Sequence, residues 1–214
     1  MKEYEIELQI LEEVAACTKL DLNDVAAVLD GLAAAIRAQV KMDQIFTFTV
    51  PGLMEIETYK RRVPQVSINP STKETRGGPA RSGTLVVRIR PDSLEKKPKP
   101  TKKNSRMELE ILEEVAGNTN LDLKKVAAVL LGLGTAIRTR TDKNLIFTFT
   151  VPGLMGLKTH MRSATPAREG INPFTKEMVI FPACPATLIT KIRPNSIRRK
   201  PRKTLTKILS EKPR

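Results

Sequence analysis

The first part of the chain alternates apolar and polar positions with the period of an α-helix. Leu8, Leu11 and Ala15 lie three and four residues apart, with Ile10 and Val14 beside them. This spacing places apolar side chains on one face of a helix. It therefore predicts a short first helix that packs on one side only.

A longer helix is predicted after Asp21, which stands where an N-cap residue belongs. Its apolar residues have i, i+3 and i+4 spacing, and the same pattern returns after Asp122. In the second copy, Ser105 and Glu108 at the start of the short helix have the spacing of a capping box. The two apolar stripes are Val25, Val28, Leu29, Leu32 and Ile36, and then Val126, Val129, Leu130, Leu133 and Ile137.

The period changes from helix to strand after the long helix. "IFTFTV", from Ile45 to Val50, alternates large apolar residues with Thr, which predicts a strand. Pro51-Gly52 predicts a turn into a second strand that begins with "LMEIETYKRR". From Tyr59 to Gly83 the apolar face is lost, and Asn69-Pro70 lies near the middle. This segment predicts a two-stranded ribbon, folded back at Asn-Pro, that is marginally stable alone.

Most of this pattern occurs twice, which indicates a tandem duplication. The stretch "IFTFTVPGLM" at Ile45–Met54 returns unchanged at Ile146–Met155, and "SINPSTKE" returns as "GINPFTKE". A stretch rich in Pro and Lys between the copies is typical of a linker. The predicted organisation is a first repeat at residues 1–96, a basic linker at 97–106, a second repeat at 107–198 and a basic tail at 199–214.

Charge is divided between these predicted parts. The chain has 37 Lys and Arg against 23 Asp and Glu, a net charge of +14. Residues 1–57 contain 4 basic and 11 acidic side chains, whereas residues 58–100 contain 11 basic and 3 acidic ones. An acidic body with a basic arm suits an arm that contacts phosphates while the body avoids them. Nucleic acid is the first expected partner, ahead of an acidic membrane surface or an acidic protein.

Other classes of protein fit the sequence poorly. No apolar run reaches the roughly 20 residues that span a bilayer, and the acidic N-terminus is unlike a signal peptide, so we expect an intracellular protein. Cys17 and Cys184 fall at different places in the two copies, which favours buried or idle thiols over a disulfide or a metal site. One His, and no catalytic or nucleotide-binding motif, lead us to expect no enzyme, cofactor, metal or small-molecule substrate.

The order of these features resembles the bacterial HU/IHF family of architectural DNA-binding proteins. "VPGLMEIETYKRR", "INPSTKE" and "VRIRPDSL" are similar to the family's turn, arm tip and entry to a last helix, and each has a partner in the second copy. The resemblance covers Tyr4–Lys97 and Met107–Lys200. It implies an α+β fold of two HU-like repeats, each a helical body and a β-sheet with a long arm, paired within one chain as a pseudo-dimer.

The resemblance also implies a function. In the family the arms wrap double-stranded DNA through the minor groove, and a proline at each tip wedges into a base step and kinks it. This implies a sequence-tolerant protein that bends or compacts DNA, in a nucleoid or with a viral or organellar genome. The residues expected at the DNA are Lys60, Arg61, Arg62, Pro70, Lys73, Arg76, Arg81, Arg88, Arg90, Arg162, Arg168, Pro173, Lys176, Lys191, Arg193, Arg198, Arg199 and Lys200.

Several alternatives remain open from the sequence. Ile68 and Ile171 precede Asn-Pro where the family often has Arg, and the second arm is less basic and carries Phe174 where the first has Ser71. The second arm therefore contacts either DNA or protein, and the alternative function is a packaging protein that uses the fold mainly for protein contacts. The cations of the returning strands face either DNA or solvent, the tail is either phosphate-binding or idle, and the repeats pair within or between chains.

Overall fold

The computed structural model describes residues 3–61, 66–68, 75–77, 84–91, 106–172, 174–195, 197, 201 and 203–210. The first half contains α1 (Glu3–Thr18), α2 (Leu22–Lys41), β1 (Thr47–Val50), β2 (Met54–Arg61), β3 (Val66–Ile68), β4 (Thr75–Gly77) and β5 (Thr84–Pro91). The second half contains α3 (Arg106–Thr119), α4 (Leu123–Asp142), β6 (Thr148–Val151), β7 (Met155–Arg162), β8 (Arg168–Ile171), β9 (Met178–Phe181), β10 (Thr187–Pro194) and α5 (Leu205–Ser210). The predicted α+β class is confirmed, and α3 to β10 follow the element order of α1 to β5.

The long helices α2 and α4 bury the apolar stripes that predict them. Every residue of both stripes is buried, so packing against the rest of the core accounts for the two helices. Asp21 and Asp122 occupy the predicted N-cap positions, but neither side chain makes a capping hydrogen bond. The backbone carbonyl of Asp21 accepts the N–H of Val25 at 3.1 Å, the first hydrogen bond of the helix. The predicted N-cap positions are therefore confirmed, although neither carboxylate acts as a cap.

Each half forms a three-stranded antiparallel sheet, with strand orders β1-β2-β5 and β10-β7-β6. The turns between β1 and β2 and between β6 and β7 place Gly52 at φ +71° and Gly153 at φ +77°. Side chains with a Cβ rarely adopt this backbone conformation, which explains the glycine of the repeated Pro-Gly pair. One face of each sheet is buried with the helices, and the other face points away from them.

A threonine lies in the buried row of each sheet. Thr58 Oγ1 accepts the backbone N–H of Phe46 at 2.7 Å, and Thr159 Oγ1 accepts that of Phe147 at 2.6 Å. Both hydroxyls also donate to backbone carbonyls. Each hydroxyl thus forms hydrogen bonds with backbone groups just before the edge strand β1 or β6. These bonds offset the desolvation cost of burying the hydroxyl and the backbone groups.

Elements of the two repeats pack against each other. Helix α1 lies against α4, and α2 lies against α3, and one cluster of buried apolar side chains includes residues of both repeats. Two carboxylates reach across in equivalent ways. Glu7 Oε1 accepts the backbone N–H of Thr150 at 3.0 Å, and Glu108 Oε1 accepts that of Thr49 at 2.7 Å. Each carboxylate satisfies a donor on an edge strand of the other repeat.

The contact of Glu108 with Thr49 changes the interpretation of the predicted capping box. Ser105, the other member of that box, lies outside the described residues. Glu108 is buried at 8% exposure, and its carboxylate serves a strand that lies 59 residues away in sequence. A signal for a local helix cap in the sequence thus belongs to a long-range contact in the structure.

The C-terminal segment folds back onto the first repeat. The carboxylate of Asp30, on α2, accepts the backbone N–H of Leu205 at 2.9 Å and that of Thr206 at 3.0 Å. It also accepts the Thr206 hydroxyl at 2.9 Å, and Leu205 is buried at 4% exposure. The equivalent position in the second repeat is Leu131, which is 56% exposed. The described part of the predicted tail therefore contains a docked helix.

The two cysteines are both exposed. Cys17 lies on α1, and Cys184 lies between β9 and β10. Of the two expected alternatives, buried or idle thiols, burial is wrong for both cysteines.

Candidate nucleic-acid interface

Two antiparallel ribbons occur where the sequence predicts arms. In the first arm, β3 and β4 pair from Val66 opposite Gly77 to Ile68 opposite Thr75. In the second arm, β8 and β9 pair from Arg168 opposite Phe181 to Ile171 opposite Met178. Both predicted ribbons are confirmed at the level of strand pairing. The predicted wedge residues Pro70 and Pro173 lie outside the described residues.

The tip of the second arm is a turn organised by Asn172. Its side-chain Oδ1 accepts the N–H of Phe174 at 3.0 Å, and its backbone carbonyl accepts the N–H of Lys176 at 2.9 Å. The N–H of Asn172 donates to the carbonyl of Glu177 at 2.9 Å, and Lys176 has φ +61°. A side-chain bond of this kind is the reason that Asn favours turns. The turn leaves the Phe174 ring 93% exposed.

Every predicted site residue whose side chain the structure describes is exposed. These residues lie on β2, β5, the second arm and β10, and they are Lys60, Arg61, Arg88, Arg90, Arg162, Arg168, Lys176, Lys191 and Arg193. For Arg76 only the backbone position on β4 is described. The remaining predicted residues lie outside the described part of the chain: Arg62, Pro70, Lys73, Arg81, Pro173, Arg198, Arg199 and Lys200.

Cations on the first sheet lie close to carboxylates. Lys60 Nζ is 3.0 Å from Asp43 Oδ2, and Arg90 Nη2 is 2.8 Å from Glu57 Oε2. All four side chains are at least about a third exposed, and ion pairs in such positions contribute little to stability. Glu57 and Arg90 belong to the outward-facing rows of β2 and β5, so this second pair reduces the net positive charge on the outward face of the sheet.

The outward face of the second sheet lacks these carboxylates. Lys158 stands directly opposite Lys191, and Arg193 stands opposite Gly156. Lys158, Lys191 and Arg193 are all exposed. Like charges directly opposite each other destabilise a strand pair unless a counter-charge is present. This face is therefore suited to a polyanion.

Lys158 was missed by the sequence reasoning. A signal for it exists in the repeat itself, because Lys158 occupies the place of Glu57 in the first copy. A change from Glu to Lys on one outward-facing position reverses the local charge. Its partner Lys191 was predicted, and the register of β7 with β10 joins the two.

The two outward faces adjoin, and helices on the other side of the body carry exposed carboxylates. Strands β5 and β10 are neighbours in space, so the faces of the two sheets form one surface on the side away from the helices. Exposed carboxylates such as Glu12, Glu113 and Glu114 lie on α1 and α3. The exposed carboxylates of α1 and α3 and the exposed cations of the two sheets therefore lie on opposite sides of the folded body.

The second arm is apolar on one of its two faces. Residues opposite each other in a ribbon point to the same side, which groups Ile171 with Met178 and, one step along, Ile180 with Glu169. Ile171, Met178 and Ile180 are 61%, 66% and 68% exposed. We call this side, together with Phe174 at the tip, the apolar face.

The opposite face of the second arm is partly covered by its own side chains. The Arg168 guanidinium lies 5.8 Å from the centre of the Phe181 ring, a distance suited to a cation–π contact. The same ring lies directly over Gly170, where a Cβ would have no room. Phe181 is 41% exposed and Val179 39%. The two faces of the ribbon thus differ in how much apolar surface they leave to solvent.

Across the described residues, no helix has the length and apolar character that crossing a bilayer demands. Within the same ranges, no three His, Cys, Asp or Glu side chains lie together in a way that would hold a metal ion.

Comparison with known proteins finds likeness among solved structures. The sequence matches no protein-family model, and it matches no curated protein sequence. Among solved structures, the chain is similar to a cocrystal structure of Anabaena HU with DNA, at 25% sequence identity and a TM-score of 0.28. The match covers 41% of this chain and 87% of the HU chain.

Proposed function

We propose that this protein is a sequence-tolerant, non-enzymatic DNA-binding protein that bends or compacts duplex DNA. The observation that carries the proposal is the charge on the outward faces of the sheets, where Lys158, Lys191 and Arg193 lie exposed on one surface. The exposed carboxylates of α1 and α3 lie on the helical side. A rod of closely spaced phosphates is the ligand that fits this division. Such a protein works where the genome is, in a nucleoid or with a viral or organellar genome.

Phosphate contacts would come from two sets of residues. The first set is the outward face, in which Arg88 and Arg90 on β5 adjoin Lys191 and Arg193 on β10. The second set is the arms, with Lys60, Arg61, Arg162, Arg168 and Lys176 as exposed cations. By the family resemblance it includes Arg62, Lys73, Arg76 and Arg81 in the first arm, and Arg198, Arg199 and Lys200 join it after the second sheet.

Bending would come from the arm tips. By the same resemblance, Pro70 and Pro173 are the wedges that enter base steps from the minor groove. Unstacking a step costs a few kcal/mol, and the bent duplex offsets this cost because more of it touches the protein. The turn held by Asn172 supports this role for the second arm, since a wedge must be presented by a tip of defined shape.

We further propose that the two repeats form one pseudo-dimer within a single chain. The reciprocal contacts of Glu7 with Thr150 and of Glu108 with Thr49 support this pairing. A bidentate ion pair favours pairing of the first repeat with the second over pairing of identical repeats. In it, Arg140 Nη2 lies 2.6 Å from Glu13 Oε1 and Arg140 Nε lies 3.3 Å from Glu13 Oε2. The first repeat has Gln39 where the second has Arg140, so two copies of the first repeat would lack this pair.

Mass measurement at low concentration tests the pairing. Below about 1 μM, where weak contacts between molecules dissociate, we expect the mass of one chain and an unfolding midpoint that does not change with dilution. A dimeric mass at that concentration, with a midpoint that falls on dilution, would mean that two chains pair instead.

The salt dependence of DNA binding tests the proposed interface. Each lost phosphate contact should flatten the slope of log K against log salt by about 0.9. We expect Lys158→Ala with Lys191→Ala to flatten the slope by about 1 to 2. The matched control is Lys124→Ala with Lys125→Ala, which removes the same charge from exposed positions on α4. Equal effects of both variants, or none, would contradict an interface on the outward face.

The second candidate function is a packaging protein that works mainly through protein contacts. The apolar face of the second arm favours it, since contact surfaces between proteins are enriched in aromatic residues and Met. DNA affinity that stays low, even at low salt, would select this alternative over DNA bending.

A further inference from the structure

The second arm exposes several large apolar side chains to solvent. Ile171, Met178 and Ile180 are each more than 60% exposed, and Phe174 is 93% exposed. Ile171, Met178 and Ile180 form one continuous strip, because Ile171 and Met178 are cross-strand partners and Ile180 is the next residue of β9 on the same side, and Phe174 follows in the turn at the tip. Contiguous apolar patches of this kind mark interaction surfaces.

The charge of the second arm argues against phosphate as the partner of this strip. From Arg168 to Phe181 the arm has two basic residues, Arg168 and Lys176, and two acidic ones, Glu169 and Glu177. Arg168 is further engaged with the Phe181 ring on the opposite face. The strip thus belongs to a ribbon without net charge, which fits an apolar partner better than a polyanion.

We propose that the apolar face is a contact between two copies of this chain, in which two second arms pack face to face in antiparallel orientation. Each copy presents the same strip, so a twofold contact is complementary to itself. The antiparallel orientation places the tip of one arm over the base of the other. Lys176 at one tip then lies near Glu169 at the base of the other arm, whereas a parallel orientation would place like charges together.

The area of the strip fits a weak dimer. An exposed aliphatic side chain offers roughly 100 Å² of apolar surface and Phe more than about 150 Å². Complete burial of the strip removes about 500 Å² from solvent on each copy and about 1,000 Å² in total, near the lower limit for specific association. Contacts of this size belong to the weak class, so we expect a dissociation constant on the order of 10 μM. In such a dimer the two second arms occupy each other, so the DNA contacts would come from the outward faces of the sheets and from the first arm, and the contact would link DNA-bound molecules into a compact array.

Sedimentation equilibrium of the full chain without DNA tests the contact. We expect one chain at about 1 μM and twice that mass at about 100 μM. Ile180→Thr should weaken dimerisation by about tenfold or more, and Ile180→Thr combined with Met178→Thr should abolish it in this range. The matched control Ile146→Thr alters an isoleucine that is 60% exposed, outside the arm, and should leave dimerisation unchanged.

Two outcomes would overturn the proposal. One is a single-chain mass at about 100 μM, and if the Ile180 and Met178 variants then also bind DNA more weakly, the strip belongs to the DNA interface. The other is a dimer that those variants do not weaken. A dimer that persists below about 1 μM and that these substitutions do not weaken would instead indicate that the repeats pair between chains. The experiment therefore distinguishes the arm contact from pairing of the repeats.

Discussion

Removing the carboxylate of Asp30 should release the C-terminal helix. In Asp30→Ala, α5 loses the acceptor for the N–H groups of Leu205 and Thr206 and for the Thr206 hydroxyl, at 2.9, 3.0 and 2.9 Å. Loss of a side-chain cap of this kind costs about 1 to 2 kcal/mol. Burial of Leu205 contributes roughly 1.5 to 3 kcal/mol more to docking. A helix of six residues is not stable alone, so it should unfold once docking is lost.

The predicted stability loss is about 2 kcal/mol, which corresponds to a decrease of about 4 to 8 °C in the unfolding midpoint for a chain of this length. Hydrogen exchange should rise selectively for the amides of Leu205–Ser210, while the amides of α2 remain protected. The matched control is Asp142→Ala, which removes an exposed carboxylate from the end of α4 and should change the midpoint by less than about 2 °C.

A truncated chain that ends at Arg202 makes this test sharper. If Asp30 acts through α5, Asp30→Ala should have no further effect in the truncated chain, since its partners are absent. An equal decrease in both backgrounds, or unchanged exchange of the α5 amides in the full chain, would refute the reasoning.

Two further predictions concern contacts between the repeats. Gly134→Ala should lower the midpoint of thermal unfolding, because the new Cβ would collide with a backbone carbonyl in the Pro-Gly turn of the first repeat. The control Gly117→Ala, on α3 with open space around it, should raise stability by about 0.5 to 1 kcal/mol. A higher midpoint for Gly134→Ala than for Gly117→Ala would contradict this packing. Glu13→Ala should lower the free energy of unfolding in urea by about 1 to 2 kcal/mol, because it removes the carboxylate that pairs with the Arg140 guanidinium, and the Arg140 side chain is only 11% exposed. Glu114→Ala, at the equivalent exposed position, should cost less than about 0.5 kcal/mol, and equal costs would refute the ion pair's role.

The sequence predicts those parts of the fold that depend on local patterns. The stripes of α2 and α4 and the alternating strands β1 and β6 have periods that only one type of element satisfies. The Pro-Gly pairs likewise predict their turns, since Gly52 and Gly153 need positive φ. The duplication strengthens each of these predictions, because the same pattern had to fit twice.

Contacts between distant residues could not be predicted in the same way. The carboxylate of Asp30 meets Leu205 across 175 residues, and nothing in the local sequence of either residue indicates the other. Glu108 has the spacing of a capping residue, but its carboxylate bonds to β1. In both cases the side chain is an ordinary acceptor, and only the packing of the repeats decides which donor it meets.

The sequence predicts which cations the candidate site contains better than it predicts how they pair. The cations of the arms and returning strands are visible as charge, and all those described are exposed. The sequence did not show that Arg90 pairs with Glu57 or that Lys158 faces Lys191, because both facts depend on strand register. The difference between the two outward faces therefore emerges only when the strands are paired.

DNA bending tests the central claim most directly. End-to-end fluorescence transfer on a short duplex should report a bend with the wild-type protein and a smaller bend with Pro70→Ala and with Pro173→Ala. Affinity for nicked or already bent DNA should fall much less, since part of the deformation cost is met beforehand. Pro98→Ala, in the predicted linker, should bend DNA like the wild type. A duplex that stays straight with the folded wild-type protein, or a bend that neither arm-tip substitution reduces, would contradict the account.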